Sequence, residues 1–253
     1  MTSHQTTIDD AAWASPWRRR RVGEKVLLSV SLVLTALLTP AWPGCVLVAA
    51  VSVFFIVGPA RIRPGLLLTV MIAPLTFLVM GSLPVAFQFG GTGWGIGGLR
   101  ISPDGLGTAL GLVAHGVAGT LALMVVATTT PMVDVVTWMR SLRVPDPLLD
   151  VASLMYRLLF VLLSTALAVR QAQVARLGDA ASWRRRWRAV ADTLGSIILR
   201  TWARATALQR GLEGRGYEEA MRTLSPRRQR NWGFVCGAVA SVAGVWAACW
   251  VLS

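Results

Sequence analysis

The chain has 253 residues, a formal net charge of +13, and 54% hydrophobic against 15% charged residues. That is long enough for a sizeable core, but the apolar residues fall in runs rather than stripes, which is the pattern of a membrane protein. The positive charge does not make it a nucleic-acid binder, because a soluble binder does not carry several uninterrupted apolar runs.

Lys25 is the only lysine, so no GxxxxGK[ST] loop exists and the chain does not bind ATP through a P-loop. Cys45, Cys236 and Cys249 lie in or beside apolar runs without CxxC spacing and read as packing residues, not as a disulfide framework. His4 and His115 are far apart, and His115 has no second His, Cys or carboxylate nearby. It therefore reads as a hydrogen-bonded packing residue and not as a metal ligand.

In chain order, residues 1–24 form a polar tail on the cytoplasmic side, ending in the basic run Arg18 to Arg21. Lys25 to Thr39 looks like a signal peptide but lacks a small-x-small cleavage site, so it is taken as a retained anchor. Pro40, Trp42 and Pro43 turn the chain into a second run, Cys45 to Val57, which is short for a span; the pair is taken as two crossings. A third crossing covers Leu66 to Phe87, with Pro74 and Pro84 expected to kink it. The glycine-rich Phe89 to Gly105 superficially resembles a dinucleotide fingerprint, but it follows a membrane helix, so it is read as a surface loop. Ser102, Pro103 and Asp104 start a fourth crossing, Gly105 to Thr130, with a small-residue face at Gly107, Gly111, Ala114 and Ala118.

After Pro131 comes a short amphipathic piece, Met132 to Val144, and then two long helices. The first runs from about Leu148 to Leu177 and is nearly apolar enough to span. Crossing there would export the arginines between 170 and 230, against the positive-inside rule, and would bury Arg157 in hydrocarbon at about 3 kcal/mol. It is therefore placed on the cytoplasmic side, with an apolar face that needs a partner. The second runs from about Ala189 to Arg215, with Leu194, Ile197, Ile198, Trp202 and Ala205 at helical spacing. Between the helices, Ser182 to Arg188 reads as a charged turn that touches headgroups. A last crossing, Trp232 to Leu252, leaves the C-terminus outside. The expected fold is an all-α polytopic membrane protein: helices one to four over 25–130, a cytoplasmic coupling domain of long amphipathic helices over 131–230, and a fifth crossing over 231–253.

Each long helix ends in an arginine beside small residues: Ala175, Arg176, Leu177 and Gly178 at the first tip, Gly214, Arg215 and Gly216 at the second. One such arginine is explained as a helix C-cap. Two of them on long, partly apolar helices call for a partner, since small neighbours let a partner backbone approach a guanidinium able to fork onto a carboxylate.

With these motifs, strongest in "LMYRLLFVLLSTALAVRQAQVARLG" and "RTWARATALQRGLEGRGY", the chain resembles the transmembrane T component of energy-coupling factor importers, particularly the cobalt-type CbiQ branch. The resemblance covers about Gly98 to Trp232. It implies a non-catalytic subunit in the cell membrane, with no cofactor or metal of its own, working with two ABC ATPases that hydrolyse ATP and a substrate-binding S protein. It also implies that Ala175, Arg176 and Leu177, and Gly214, Arg215 and Gly216, dock in the ATPases. Leu177 stands where the family has a small residue and Gly214 where it has alanine. The apolar face of the first long helix, at Met155, Leu158, Leu159 and Leu162, is implied to meet the S protein. Cobalt or nickel is the expected cargo, with a vitamin such as biotin as the alternative. A different class, a membrane enzyme on lipid substrates using Asp104, Asp134 and Arg140, lacks paired carboxylates at helical spacing or an activated nucleophile.

Overall fold

The structure, a computed structural model, describes residues 8–89, 99–101, 103–175, 183–216 and 231–252. Its helices are α1 (Ile8–Ala14), α2 (Val22–Leu38), α3 (Val46–Val57), α4 (Pro64–Ala86), α5 (Pro103–Ala127), α6 (Met132–Met139), α7 (Asp146–Ala175), α8 (Trp183–Glu213) and α9 (Trp232–Leu252). Two three-residue strands, β1 (Phe87–Phe89) and β2 (Leu99–Ile101), form an antiparallel ribbon between α4 and α5. The glycine-rich segment, read as loop throughout, is thus paired at its base, with Phe87 opposite Ile101; residues 90–98 lie outside the described residues. The chain is an all-α polytopic membrane protein in which residues 1–135 and 226–253 make one compact unit and residues 136–225 another.

In the first unit, α4, α5 and α9 are long and apolar enough to cross a membrane, over Pro64–Ala86, Gly105–Ala127 and Trp232–Val251. α4 continues as one helix through both Pro74 and Pro84. α2 and α3, with 17 and 12 residues, measure about 25 and 18 Å at 1.5 Å per residue. They form a hairpin shorter than the other three helices, turned at Pro40 to Cys45, where Trp42 is extended.

The hairpin lies along α5, and a row of polar ties fixes α2 antiparallel to it. Lys25 Nζ donates to the Thr129 carbonyl at 2.7 Å, Ser29 Oγ donates to the Ala122 carbonyl at 2.7 Å, and His115 Nε2 lies 3.2 Å from the Thr39 carbonyl. The other ring nitrogen of His115, Nδ1, is 2.8 Å from the Gly111 carbonyl, so each ring nitrogen faces a backbone acceptor and either neutral tautomer donates to one of them, as befits a packing group. Between these ties Ala118 and Ala122 are fully buried, and small side chains there let the backbones approach. The expected small-residue face is only partly used. A Cβ at Gly111 would sit 3.7 Å from Ala41, Gly107 faces open space, and the glycine that α4 requires is Gly116, where a Cβ would run into Leu78. Leu28, Leu32, Val48, Ile56, Leu121 and Val125 fill the core, with Ala238 and Val245 from α9.

Residues 8–19 are not a loose tail. α1 and a 3-10 turn at Pro16–Arg19 fold against this core, Ser15 Oγ donates to the Ala60 carbonyl at 3.2 Å, and Trp17 is 3% exposed. The Trp17 ring meets Phe234 edge-on at 4.9 Å and Phe55 at 5.9 Å. A seven-residue helix is too short to announce itself by periodicity, and the tryptophan's partners are distant in sequence.

In the second unit, α7 also meets the length and composition of a membrane span over Asp146–Ala172, yet within the protein it buries only Leu149 and Asp150, in its first turns, and none of its most apolar 18-residue stretch. Arg140 holds the start of α7: its Nε lies 2.9 Å from Asp146 Oδ1, and its Nη2 lies 3.1 Å from the buried Asp150 carboxylate. Both acids sit in the first turns of α7, where the helix dipole favours negative charge. α8 begins at Trp183, so residues 183–188, expected as a turn, are its first turns. Arginine forms helix well, and Trp183 and Trp187, one turn apart, meet edge-on at 5.6 Å.

Candidate functional site

The second tip is described in full. At the end of α8 the backbone amides of Gly214, Arg215 and Gly216 donate to the carbonyls of Arg210, Leu212 and Glu213, each at 3.0 Å. The ladder tightens from four-residue to three-residue spacing, and Gly216 then takes a positive φ of 73°, a conformation that glycine adopts without strain. Gly214, Arg215 and Gly216 are all exposed. Among the described residues the Arg215 side chain makes no hydrogen bond or ion pair, so its guanidinium is not occupied in capping its own helix. Glu213, two residues before it, accepts instead from Gln209 Nε2 at 2.9 Å.

At the first tip, Ala175 is the exposed last residue of α7, while Arg176 and Leu177 lie outside the described residues. On α7 the apolar residues named from the sequence lie open: Met155 is 67% exposed, Leu159 and Leu162 are exposed, and Leu158 is half-buried. With Leu148 and Val151 they follow a spacing of three and four residues, a continuous stripe on one helix face. A second stripe, Trp187, Val190, Leu194, Ile198 and Trp202, is exposed on α8. Ile197, expected in that face, is half-buried.

Two of the residues considered for lipid chemistry, Arg140 and Asp134, have described side chains. Arg140 is committed to Asp146 and Asp150, and Asp134 sits partly buried in the first turn of α6. Among the described residues no group of three or more His, Cys, Asp or Glu stands ready to hold a metal ion. The three cysteines are free, with Cys45 and Cys249 buried and Cys236 exposed.

Sequence reasoning missed one set of polar residues. Glu24, Lys25 and Asp9 all bond to backbone atoms far along the chain. The only available signal was the placing of the single lysine, beside a glutamate, at the mouth of an apolar run.

Residues 14–225 match the family described as "Cobalt transport protein", CbiQ. The chain is 36% identical to the cobalt transport protein CbiQ of Rhodobacter capsulatus over 87% of its own length and 88% of that protein. It is 25% identical to a putative fused cobalt transport protein CbiMQ of Methanocorpusculum labreanum, over 85% of this chain and 37% of that longer one. An uncharacterized protein of Methanocaldococcus jannaschii is 24% identical over 86% of this chain and 82% of its own.

Proposed function

Since this chain belongs to the CbiQ cobalt transport protein family, we propose that it is the energy-coupling transmembrane subunit of an ATP-driven importer of cobalt or nickel. The observation that carries this reading is the α8 tip, an exposed arginine flanked by two glycines and unpaired among the described residues. A guanidinium so placed is free to fork onto a carboxylate of a partner whose backbone comes close over the glycines. The partners are two ABC ATPases, one for each arginine tip, and this chain hydrolyses nothing itself. Ala175, Arg176 and Leu177 make the corresponding contact at the end of α7.

The stripe through Met155, Leu158, Leu159 and Leu162 meets the substrate-binding S protein, which gives an apolar helix face the cover it lacks within its own unit. The second unit lies on the cytoplasmic side. α7 stays out of the bilayer despite its composition, because crossing would place Arg157 in hydrocarbon and carry the arginines of α8 outward. ATP-driven closure of the ATPases moves the tips, and α7 and α8 carry that motion to the S protein.

Arg176→Glu and Arg215→Glu, made separately and together, test the docking. The double variant is expected to lose co-purifying ATPases and to take up cobalt at the background rate, with each single variant reduced. Full association and uptake in the double variant would refute it.

A further inference from the structure

The chain leaves its first unit after Val135 and is back in it from Pro226, and two consecutive residues of α2 bond within that unit to the end of α5 and to the start of α9. Lys25 is fully buried, and its Nζ donates to the Thr129 carbonyl at 2.7 Å and to Thr130 Oγ1 at 3.3 Å, just after α5. Glu24 is 9% exposed, and its Oε1 accepts from the Asn231 amide at 3.1 Å, just before α9 and 207 residues away. Asn231 Oδ1 in turn accepts from the Phe234 amide and caps α9. Asp9, from α1, adds a second hold after α5 by accepting from the Met132 amide at 3.3 Å, at the first residue of α6.

The segment after α5 is otherwise built to be stiff. Thr128, Thr129 and Thr130 are buried, Thr128 and Thr129 return their hydroxyls to the carbonyls of Met124 and Val125, and Pro131 ends the ladder because it has no amide hydrogen. A lysine head buried beside an apolar core is costly unless acceptors surround its hydrogens. A less costly residue would serve packing alone. The second Glu24 oxygen is buried without a hydrogen-bond partner among the described residues, a further sign that this pair serves more than local stability.

We propose that Glu24 and Lys25 act as a positioning clamp, holding the end of α5 and the start of α9 at fixed separation so that motion of residues 136–225 is delivered to the membrane helices instead of being lost where the chain leaves and re-enters the first unit. The role in transport rests on the coupling function proposed above; the clamp itself is a property of this chain alone. Lys25→Met keeps an unbranched side chain of similar reach, one heavy atom shorter, and removes its donors. Glu24→Leu removes the acceptor, whereas Glu24→Gln retains a carbonyl oxygen for the Asn231 amide.

The test has two arms. Amide hydrogen exchange on the purified chain in detergent is expected to rise at residues 128–132 in Lys25→Met and at 231–234 in Glu24→Leu, and to stay near wild type in Glu24→Gln. In proteoliposomes holding the complete transporter, Lys25→Met and Glu24→Leu are expected to lower cobalt uptake about tenfold. ATPase co-purification and ATP hydrolysis are expected to remain within about twofold, and Glu24→Gln to retain uptake. Unchanged exchange, or raised exchange with unchanged uptake, would overturn the clamp. Uptake, hydrolysis and co-purification falling together would overturn it as well, since that pattern belongs to a residue needed for assembly. Failure of the coupling function shows elsewhere, as ATPases binding Arg215→Glu as well as wild type, and leaves the exchange arm to be judged separately.

Discussion

The two units of this protein treat their apolar surface in opposite ways. In the first, α2, α3, α5 and α9 bury side chains against one another and add polar ties at Lys25, Ser29 and His115. In the second, α7 has the composition of a membrane helix but its most apolar 18-residue stretch is unburied beyond the first turns, and α8 leaves a row of tryptophan and aliphatic side chains open. One unit buries its apolar helices against one another, while the other leaves apolar helix faces open for the partners proposed above. The difference teaches where mutations will be felt: in the first unit as stability, in the second as lost association.

Trp17→Ala should break the first unit most severely, by about 3 kcal/mol or more, since it empties an aromatic site between Phe55 and Phe234. A denaturant titration of the detergent-solubilised chain reads the loss directly. His115→Leu removes the tie between α5 and the end of α2 and should cost about 1 kcal/mol by the same titration. At the other extreme, Met155→Ser with Leu159→Ser should change stability by less than about 0.5 kcal/mol, because both side chains are already exposed. The same pair should abolish capture of the S protein in a pull-down. A large stability loss there would mean that the α7 stripe is already covered, and the contrast between the units would fail.

Much of this division was legible in the sequence because apolar runs and helical spacing are local signals. α4, α5 and α9 each fall within a few residues of the stretches read from the sequence, and α7 is found at Asp146–Ala175 where about Leu148 to Leu177 was expected. The start of α8 was missed by six residues, at Trp183 instead of Ala189, because its arginines were read for their charge and not for their helix-forming tendency. Trp17 and the Glu24 and Lys25 pair were illegible for a different reason. Their partners are backbone atoms or rings far along the chain, and no sequence spacing records a bond between Glu24 and an amide 207 residues away. At the candidate site, the residues of the α8 tip were readable by type, but the freedom of the Arg215 guanidinium among its described neighbours was not.

The brevity of the α2 and α3 hairpin bears on the lipid around it. Helices of about 25 and 18 Å are shorter than a hydrocarbon slab of about 30 Å, so if both cross, thinning of the bilayer along that flank is expected, with full thickness along α4. Trp42, 76% exposed at the bend, is the kind of side chain that settles at headgroup depth and would mark the floor of the dimple. Membrane thickness is thereby expected to matter to this protein, with its activity differing between short-chain and long-chain lipids.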